Sequence, residues 1–369
     1  MQLRYRQQVA AAGVSVAALA LVLGACSSSS SSSPASGGSG SAAAGGGSSS
    51  SSSNLSGTLN ASGSSFQLTF QQAAISAFKS VQPGMTVNYG GGGSGKGRTD
   101  LAAGTVNFAG SDSPIPSDEQ STFKGTVLYF PVIIGPITMS YNLSGVSNLK
   151  LDPKTIAGIF QGKIKTWNDP AIKADNSGVS LPSTPITLAV RSDSSGTTQN
   201  FTLFLEKAAG SAWTLGSDST IKWPSSARAG SGNGGVAQIV KSTPGAIGYV
   251  DYTDAKASGL SFASVKNQSG AFVAPSADSA SASAGGVDIK PDLTFAAVWG
   301  TGANAYPITY QSWDLVYAKQ PNANDAAMLK AYLGYLLGDG QKLLPDLGYA
   351  PLPSSLDQKA VAQLSQITS

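Results

Sequence analysis

Residues 57–110 read GTLNASGSSFQLTFQQAAISAFKSVQPGMTVNYGGGGSGKGRTDLAAGTVNFAG, and this stretch decides the fold. Gly57-Thr58-Leu59-Asn60-Ala61 is strand-like. From Phe66 to Ser80 the residues Phe66, Phe70, Ala73, Ala74, Ala77 and Phe78 recur at helical spacing. Gly84 to Tyr89 reads as a second strand, Lys96 to Ala103 as a short helix and Val106 to Gly110 as a third strand. A β-α-β-α-β order predicts an α/β fold, with a mostly parallel sheet carrying helices on its faces.

Outward from this stretch the same class of element continues. Val127 to Tyr141 is a long apolar, β-rich run, and Ile186 to Val190 is a further strand. A helix is expected from about Gln199 to Lys207, and a buried strand at Ala246 to Val250. Pro307-Ile308-Thr309 leads into the β-like Trp313 to Tyr317, and Ala326 to Leu337 reads as a helix broken by Gly338 and Gly340. The low-complexity stretch Pro275 to Gly286 is expected to be a mobile surface loop. No internal repeat is visible.

The N-terminal side reads as an export signal over residues 1–26. Arg4 and Arg6 form a positive start, and Val9 to Ala25 is an apolar, small-residue run. It ends in Leu23-Gly24-Ala25-Cys26, similar to the lipobox of bacterial lipoproteins. Cys26 is the sole cysteine, which excludes an intrachain disulfide and marks it as the expected lipidation site. The plainer alternative is a secretory signal with a cysteine near the cut by chance. Residues 27–56 are almost wholly Ser, Gly and Ala and predict a disordered tether. Lipidation would hold the chain to the outer face of the cell membrane. No other stretch is long and apolar enough for a membrane span, so the chain is not itself a permease.

Composition removes several function classes. The net charge is +3, and Arg4 and Arg6 account for two of the 23 basic residues, so the remainder carries only about +1. That is not the basic footprint of a nucleic-acid binder. The sequence contains no histidine. Histidine acid–base catalysis, the usual Ser/His/Asp triad and most zinc sites therefore fall away together.

Four short segments share one chemical character: Gly63-Ser64-Ser65-Phe66, Gly90 to Gly97, Ser111-Asp112-Ser113, and Arg191-Ser192-Asp193-Ser194-Ser195-Gly196-Thr197. Each is a small-residue loop after a strand, and three of them precede a helix. A helix N-terminus offers free N–H groups and a positive dipole end to an anion. Small residues let backbone approach closely, and hydroxyls add donors without charge. In an open α/β sheet such strand ends face one crevice. Singly, each segment has a bland reading: Ser65 as a helix cap, Ser111-Asp112-Ser113-Pro114 as a turn before proline. Convergence of all four predicts a donor-rich pocket with one arginine and one or two carboxylates.

These segments resemble the phosphate-binding protein family of bacterial phosphate ABC transporters, which has a type II periplasmic-binding-protein fold. The resemblance runs from about Gly57 to Pro353. Gly63 to Phe66 is similar to the family's Gly-Ala-Thr-Phe motif, Tyr89 to Gly95 to its Gly-Ser-Gly loop, and Phe108 to Asp112 to its Phe-Gly-Ala-Ser-Asp segment. Arg191 to Thr198 resembles its Arg-x-Asp-x-Ser-Gly-Thr signature. Phe160 to Asp169 and Pro244 to Val250 also look like family segments. Ser65 stands where threonine is commoner, and Lys96 where small residues are usual.

The resemblance implies phosphate ligation by Ser65, Phe66 (through its backbone), Ser94, Asp112, Arg191, Ser195, Gly196 and Thr197, with Asp193 orienting the guanidinium. It implies two lobes joined by two hinge crossings: residues 57–132 plus 308–369, and residues 133–307. The first crossing would fall within Pro131 to Ile137 and the second near Tyr306 to Thr309. It implies an exported, non-enzymatic chain, a monomer, delivering phosphate to a membrane ABC permease without metal or cofactor. Residue chemistry agrees. Arg191 supplies charge-assisted bonds to oxyanions. Phosphate keeps a proton near neutral pH and can donate it to Asp112, whereas sulfate has none to give.

Rival readings are weaker. Gly90 to Lys96 fits G-x-x-x-x-G-K, but Gly97 stands where a P-loop needs its Mg²⁺-binding Ser or Thr. A phosphatase nucleophile would lack histidine or a spare cysteine for activation. A sulfate or molybdate binder conflicts with Asp112. A cell-wall interaction module would need no converging anion pocket.

Overall fold

The computed structural model describes residues 55–369. The export signal, Cys26 and the tether up to residue 54 lie outside the described residues. The strands are β1 (Gly57–Gly63), β2 (Met85–Gly92), β3 (Phe108–Ser111), β4 (Val127–Tyr141), β5 (Lys150–Leu151), β6 (Thr187–Arg191), β7 (Arg228–Gly230), β8 (Ala246–Asp251), β9 (Ser261–Lys266), β10 (Phe272–Val273) and β11 (Thr309–Tyr317). The α-helices are α1 (Leu68–Val81), α2 (Ser94–Ala103), α3 (Pro153–Phe160), α4 (Pro170–Asp175), α5 (Gly196–Ala209), α6 (Gly232–Ser242), α7 (Tyr252–Ala257), α8 (Ala277–Ala284), α9 (Ala323–Leu337), α10 (Leu344–Leu347) and α11 (Ser354–Gln363).

The opening β-α-β-α-β unit folds as the spacing predicts. β1 lies parallel to both β2 and β3, with Leu59 opposite Val87 and Ala61 opposite Phe108. α1 buries Phe70, Ala74 and Phe78, one stripe of the periodic pattern. Phe78 and Phe108 both pack on Tyr332 of α9, at ring-centroid distances of 5.1 and 5.7 Å. Each such fully buried ring contributes roughly 1.5–3 kcal/mol.

Strands run in the order β2-β1-β3-β11-β4-β8-β6-β7, and the long strand β4 joins two halves of this path. Its first part pairs antiparallel with β11 as far as Pro136 opposite Thr309. From Ile137 onward it pairs with β8 instead. Pro136 has no N–H to give a ladder, so a change of partner falls naturally there. Ile137 N–H reaches back to Ile308 O at 2.8 Å, tying the two chain crossings together. Beyond the switch, β6 lies parallel to both β8 and β7, so the loops after β6 and β7 sit at the same strand ends. Phe201 of α5 stacks on Tyr249 of β8 at 4.6 Å, and Phe160 packs edge-on to Phe201 at 4.8 Å.

Three helix starts differ from the periodicity. α1 begins at Leu68 rather than Phe66 because Ser64 Oγ accepts from the Phe66 and Gln67 N–H groups and holds a turn there. α2 begins at Ser94, and α5 at Gly196 rather than near Gln199, because Ser195 Oγ accepts from Thr198 N–H as an N-cap. Residues 275–286 are not a loop throughout. Ala277–Ala284 is helical, opened by a capping box between Ser276 and Ser279, and Ala280, Ser283 and Ala284 are buried.

β11 carries a carboxyl group into the core. Asp314 is fully buried, and its oxygens accept from Gln71 Nε2 at 3.1 and 3.3 Å. Burial pushes its pKa up to about 8, against the smaller opposing pull of the Gln71 and Gln67 amides. A carboxyl group with a raised folded pKa binds more protons in the native than in the unfolded state. Its stabilisation is complete below the unfolded value of about 4 and is lost as pH rises toward about 8. Denaturant unfolding of the ligand-free protein should therefore show stability falling between these pH values. Asp314→Asn should flatten that fall, and an unchanged slope would contradict it.

Candidate functional site

The residues singled out in the four segments converge at the strand ends between β3 and β6. Asp112 follows β3, is 1% exposed, and its three oxygen atoms accept five protein hydrogen bonds, one of them from Gln311 Nε2 to its carbonyl oxygen at 3.2 Å. Its Oδ1 takes the hydroxyls of Ser64 and Ser312, each at 2.5 Å. Its Oδ2 takes Ser94 Oγ at 3.3 Å, and its carbonyl oxygen takes Asn200 Nδ2 at 2.7 Å. Burial raises its pKa, although the Ser312, Ser64 and Ser94 bonds and the Arg191 charge work to lower it.

From the other side comes Arg191, the last residue of β6 and only 5% exposed. Its Nε donates to Asp193 Oδ1 at 2.8 Å, and one Nη donates to Asp193 Oδ2. Its second Nη faces Thr197 Oγ1 and Asn233 Oδ1 at 3.3 and 3.4 Å. Asp193 is held in turn by Gly232 N–H at 3.0 Å. Burial would raise the Asp193 pKa, but Arg191 outweighs it and holds the carboxylate below its ordinary range. The guanidinium is thus oriented and partly neutralised before any anion arrives.

The two sides touch. Ser65 Oγ accepts from Asn233 N and Nδ2 at 3.3 and 3.2 Å, so Ser65 does not cap α1 but bridges to α6. Gly95 N–H donates to Ser194 O at 3.1 Å. At Gly196 a Cβ would lie 2.3 Å from Ser94 Oγ and 2.6 Å from Asp112 Cβ. Only glycine lets the first turn of α5 come this close. Phe66 has its N–H on Ser64 Oγ at 3.1 Å, and its ring stacks on Tyr310 at 4.0 Å. Gly135 leaves the space for that ring, since a Cβ there would meet it at 2.9 Å.

Three side chains of these segments have definite partners. Lys96 does not enter the site: its Nζ donates to Asp100 at 2.5 Å on the exposed face. Ser195 caps α5, and Thr197 accepts from Arg191 and Asn233, so each hydroxyl keeps its own proton to donate. Ser64, Asn200, Asn233, Gln311 and Ser312 belong to the constellation but were not among the expected ligands. Asn233 sits in Ser231-Gly232-Asn233-Gly234-Gly235, a loop of the same composition at the start of α6, which was the available signal. A cavity of about 590 Å³ opens beside Asp112, walled by Pro114, Leu203 and Phe295; its one basic side chain, Lys290, is exposed. Among the described residues no group of His, Cys, Asp and Glu side chains could hold a metal.

Known relatives bear on this geometry. The PBP superfamily domain matches residues 48–339. Phosphate-binding protein PstS 3 of Mycobacterium leprae is 36% identical over 321 residues, covering 82% of this chain and 85% of its own. The chain belongs to the PstS family of phosphate-binding proteins. PstS of Pasteurella multocida is 35% identical over 314 residues, covering 83% of this chain and 89% of its own. Among solved structures, the high-affinity periplasmic phosphate-binding protein PfluDING, bound with phosphate, superposes with a TM-score of 0.70 at 22% identity, covering 83% of this chain and 94% of its own. A phosphate ABC transporter substrate-binding protein of Clostridium perfringens superposes with a TM-score of 0.60 at 15% identity, covering 80% of this chain and all of its own. The chain thus has the two-lobed, mixed α/β fold of periplasmic binding proteins. Among the described residues no helix is long and apolar enough to cross a membrane.

The Arg191–Asp193 pair is testable apart from any ligand. In Arg191→Ala the guanidinium that holds Asp193 down is gone, while much of its burial and the Gly232 N–H bond remain. Its carboxyl pKa, followed by carbon-detected NMR titration, should rise above the ordinary carboxylate value. A value as low as in the wild type would contradict the pairing.

Proposed function

We propose that this PstS-family chain captures inorganic phosphate in the cleft between two lobes and delivers it to an ABC-type permease. The observation that carries the reading is Asp112, a buried carboxylate among donors, facing an arginine across the cleft. A site built for any anion would have no carboxylate there. A site built for an anion that brings its own proton gains an acceptor from it. The names of the curated relatives and the phosphate-bound structural neighbours support the same ligand.

In this reading Ser65, Ser94 and Asp112 hold phosphate from one lobe, residues 57–132 with 308–369, and the Phe66 N–H, which rests on Ser64 Oγ in this structure, shares its proton with the anion. Arg191, Ser195, Gly196 and Thr197 hold it from the other, residues 133–307, at the N-terminus of α5. The change of partner along β4 at Pro136–Ile137, tied to Ile308, supports these lobe limits and a hinge there. Asp193 sets the guanidinium and offsets its charge, so affinity comes chiefly from converging N–H and O–H dipoles rather than net charge. The chain works as a monomer without catalysis, and a lipid on Cys26 would keep it beside its permease at the outer face of the membrane.

Calorimetric titration with phosphate, arsenate and sulfate at fixed pH and ionic strength tests this. Phosphate and arsenate should bind and sulfate should not. Arg191→Ala should weaken phosphate binding by about 2–5 kcal/mol, with Arg191→Lys intermediate. Asp112→Asn keeps the shape, loses the charge and gains a donor, so it should admit sulfate measurably better than the wild type. Wild-type protein that binds sulfate as well as phosphate would overturn the assignment. For the anchor, intact mass of the membrane fraction should show a lipid on Cys26 that Cys26→Ala lacks.

A further inference from the structure

Behind Asp112 lies a buried chain of side-chain hydrogen bonds whose direction is fixed. Gln67 Nε2 donates to the carbonyl oxygen of Trp313 at 2.9 Å, and a carbonyl can only accept. That settles which end of the Gln67 amide is nitrogen. The same nitrogen donates to Ser312 Oγ at 2.8 Å. At the other end, Gln67 Oε1 accepts from Gln71 Nε2 at 2.9 Å, and Gln71 Oε1 accepts from the Tyr332 hydroxyl at 2.7 Å. Gln67, Gln71 and Ser312 are all at most 2% exposed or fully buried, so water does not compete with these bonds.

The consequence falls on Asp112. Ser312 has one proton, and its oxygen is already taken by the Gln67 N–H. That proton has two acceptors in reach: Asp112 Oδ1 at 2.5 Å and the Ser111 carbonyl at 3.3 Å, and the shorter, charged one is favoured. Ser64 is held the same way, its oxygen accepting from the Phe66 and Gln67 N–H groups and its proton going to Asp112 Oδ1 at 2.5 Å. Two inward-pointing donors leave Oδ1 no room for a proton of its own. Asp112 Oδ2, which takes only the longer contact from Ser94 Oγ at 3.3 Å, is the oxygen left to the cleft as an acceptor.

We propose that Ser312, held by Gln67, is a specificity-determining positioning residue: it keeps Asp112 an acceptor, so that the site takes a protonated oxyanion and rejects a fully deprotonated one. The proposal rests on the phosphate reading above and names what enforces selectivity in it. The other charged or titratable groups facing Asp112 are Arg191 across the cleft, Tyr89 of β2 and Tyr310 of β11. Burial raises both tyrosines, so they stay neutral through the working range and leave the protonation of Asp112 to its hydroxyl donors and Arg191.

Removing the Ser312 hydroxyl deletes one of the bonds that oppose the effect of burial on Asp112. Its pKa then rises further, and at lower pH it becomes a neutral acid whose O–H donates to an anion. Phosphate, which both donates and accepts, still binds. Sulfate, which only accepts, is now admitted. The experiment is competition of sulfate against labelled phosphate from about pH 5 to 8 for wild type, Ser312→Ala, Ser312→Thr and Gln67→Met, with thermal unfolding alongside. Ser312→Ala should raise the sulfate-to-phosphate affinity ratio by about tenfold or more at the acid end, the effect fading as pH rises. Ser312→Thr should restore discrimination, and Gln67→Met should shift the ratio in the same direction by less. Should Ser312→Ala fail to fold, Gln67→Met carries the same reading. Folded variants with wild-type discrimination across the range would overturn the relay while leaving phosphate binding intact. Wild-type protein that binds neither anion would overturn the phosphate reading and the relay with it.

Discussion

The approach of Gly196 to Asp112 sets how closely the two halves of the sheet can meet. A single added Cβ would sit 2.6 Å from the Asp112 Cβ, inside any real contact distance. The first turn of α5, with its free N–H groups, therefore lies against a buried carboxylate rather than a shell of water. The rest of the cleft follows from that approach. Gly95 can reach Ser194, Ser65 can reach Asn233, and Asn200 can bridge the Asp112 and Gly196 carbonyls at 2.7 and 2.9 Å. One strand, β4, serves both halves and changes partner at Pro136.

Charge in the cleft is arranged to be nearly spent before ligand enters. Arg191 and Asp193 satisfy each other through a two-pronged contact, which leaves Asp112 as the one carboxylate without a guanidinium directly on it. Donors from Ser64, Ser94 and Ser312 hold that carboxylate against the effect of burial. This explains how a near-neutral chain can bind an anion without a basic surface. It also explains why discrimination would depend on protons rather than on size, because phosphate and sulfate are nearly the same shape.

Much of this was legible in the residues, for reasons that differ by element. Leu59, Ala61 and Val87 alternate on parallel strands, and Phe70, Ala74 and Phe78 follow a helical stripe, so the opening unit stood out. Helix starts were obscured where serine and glycine occupy the first turn: Ser64 and Ser195 are the side chains that fix them, and neither has a periodic signature. Residues 277–284 hid as a helix because its buried face is Ala and Ser, which carry no hydrophobic contrast. Among the site residues, the Gly/Ser/Asp loops point to Asp112 and Arg191, and the loop at Asn233 has the same composition outside those four segments. Ser312 had no local signal at all. It lies in the middle of a strand, 200 residues from the carboxylate it serves, and only the pairing of β11 with β3 and β4 brings it there.

A crystal structure of the protein grown with phosphate tests the central claim most directly. The account predicts one phosphate between Asp112 and Arg191, with the N–H groups at the start of α5 on its oxygens. One phosphate oxygen should lie about 2.5–2.7 Å from Asp112 Oδ2, the length of a bond in which a hydroxyl donates to a carboxylate. Phosphate seated elsewhere, or held with Asp112 turned out of the cleft, would contradict it.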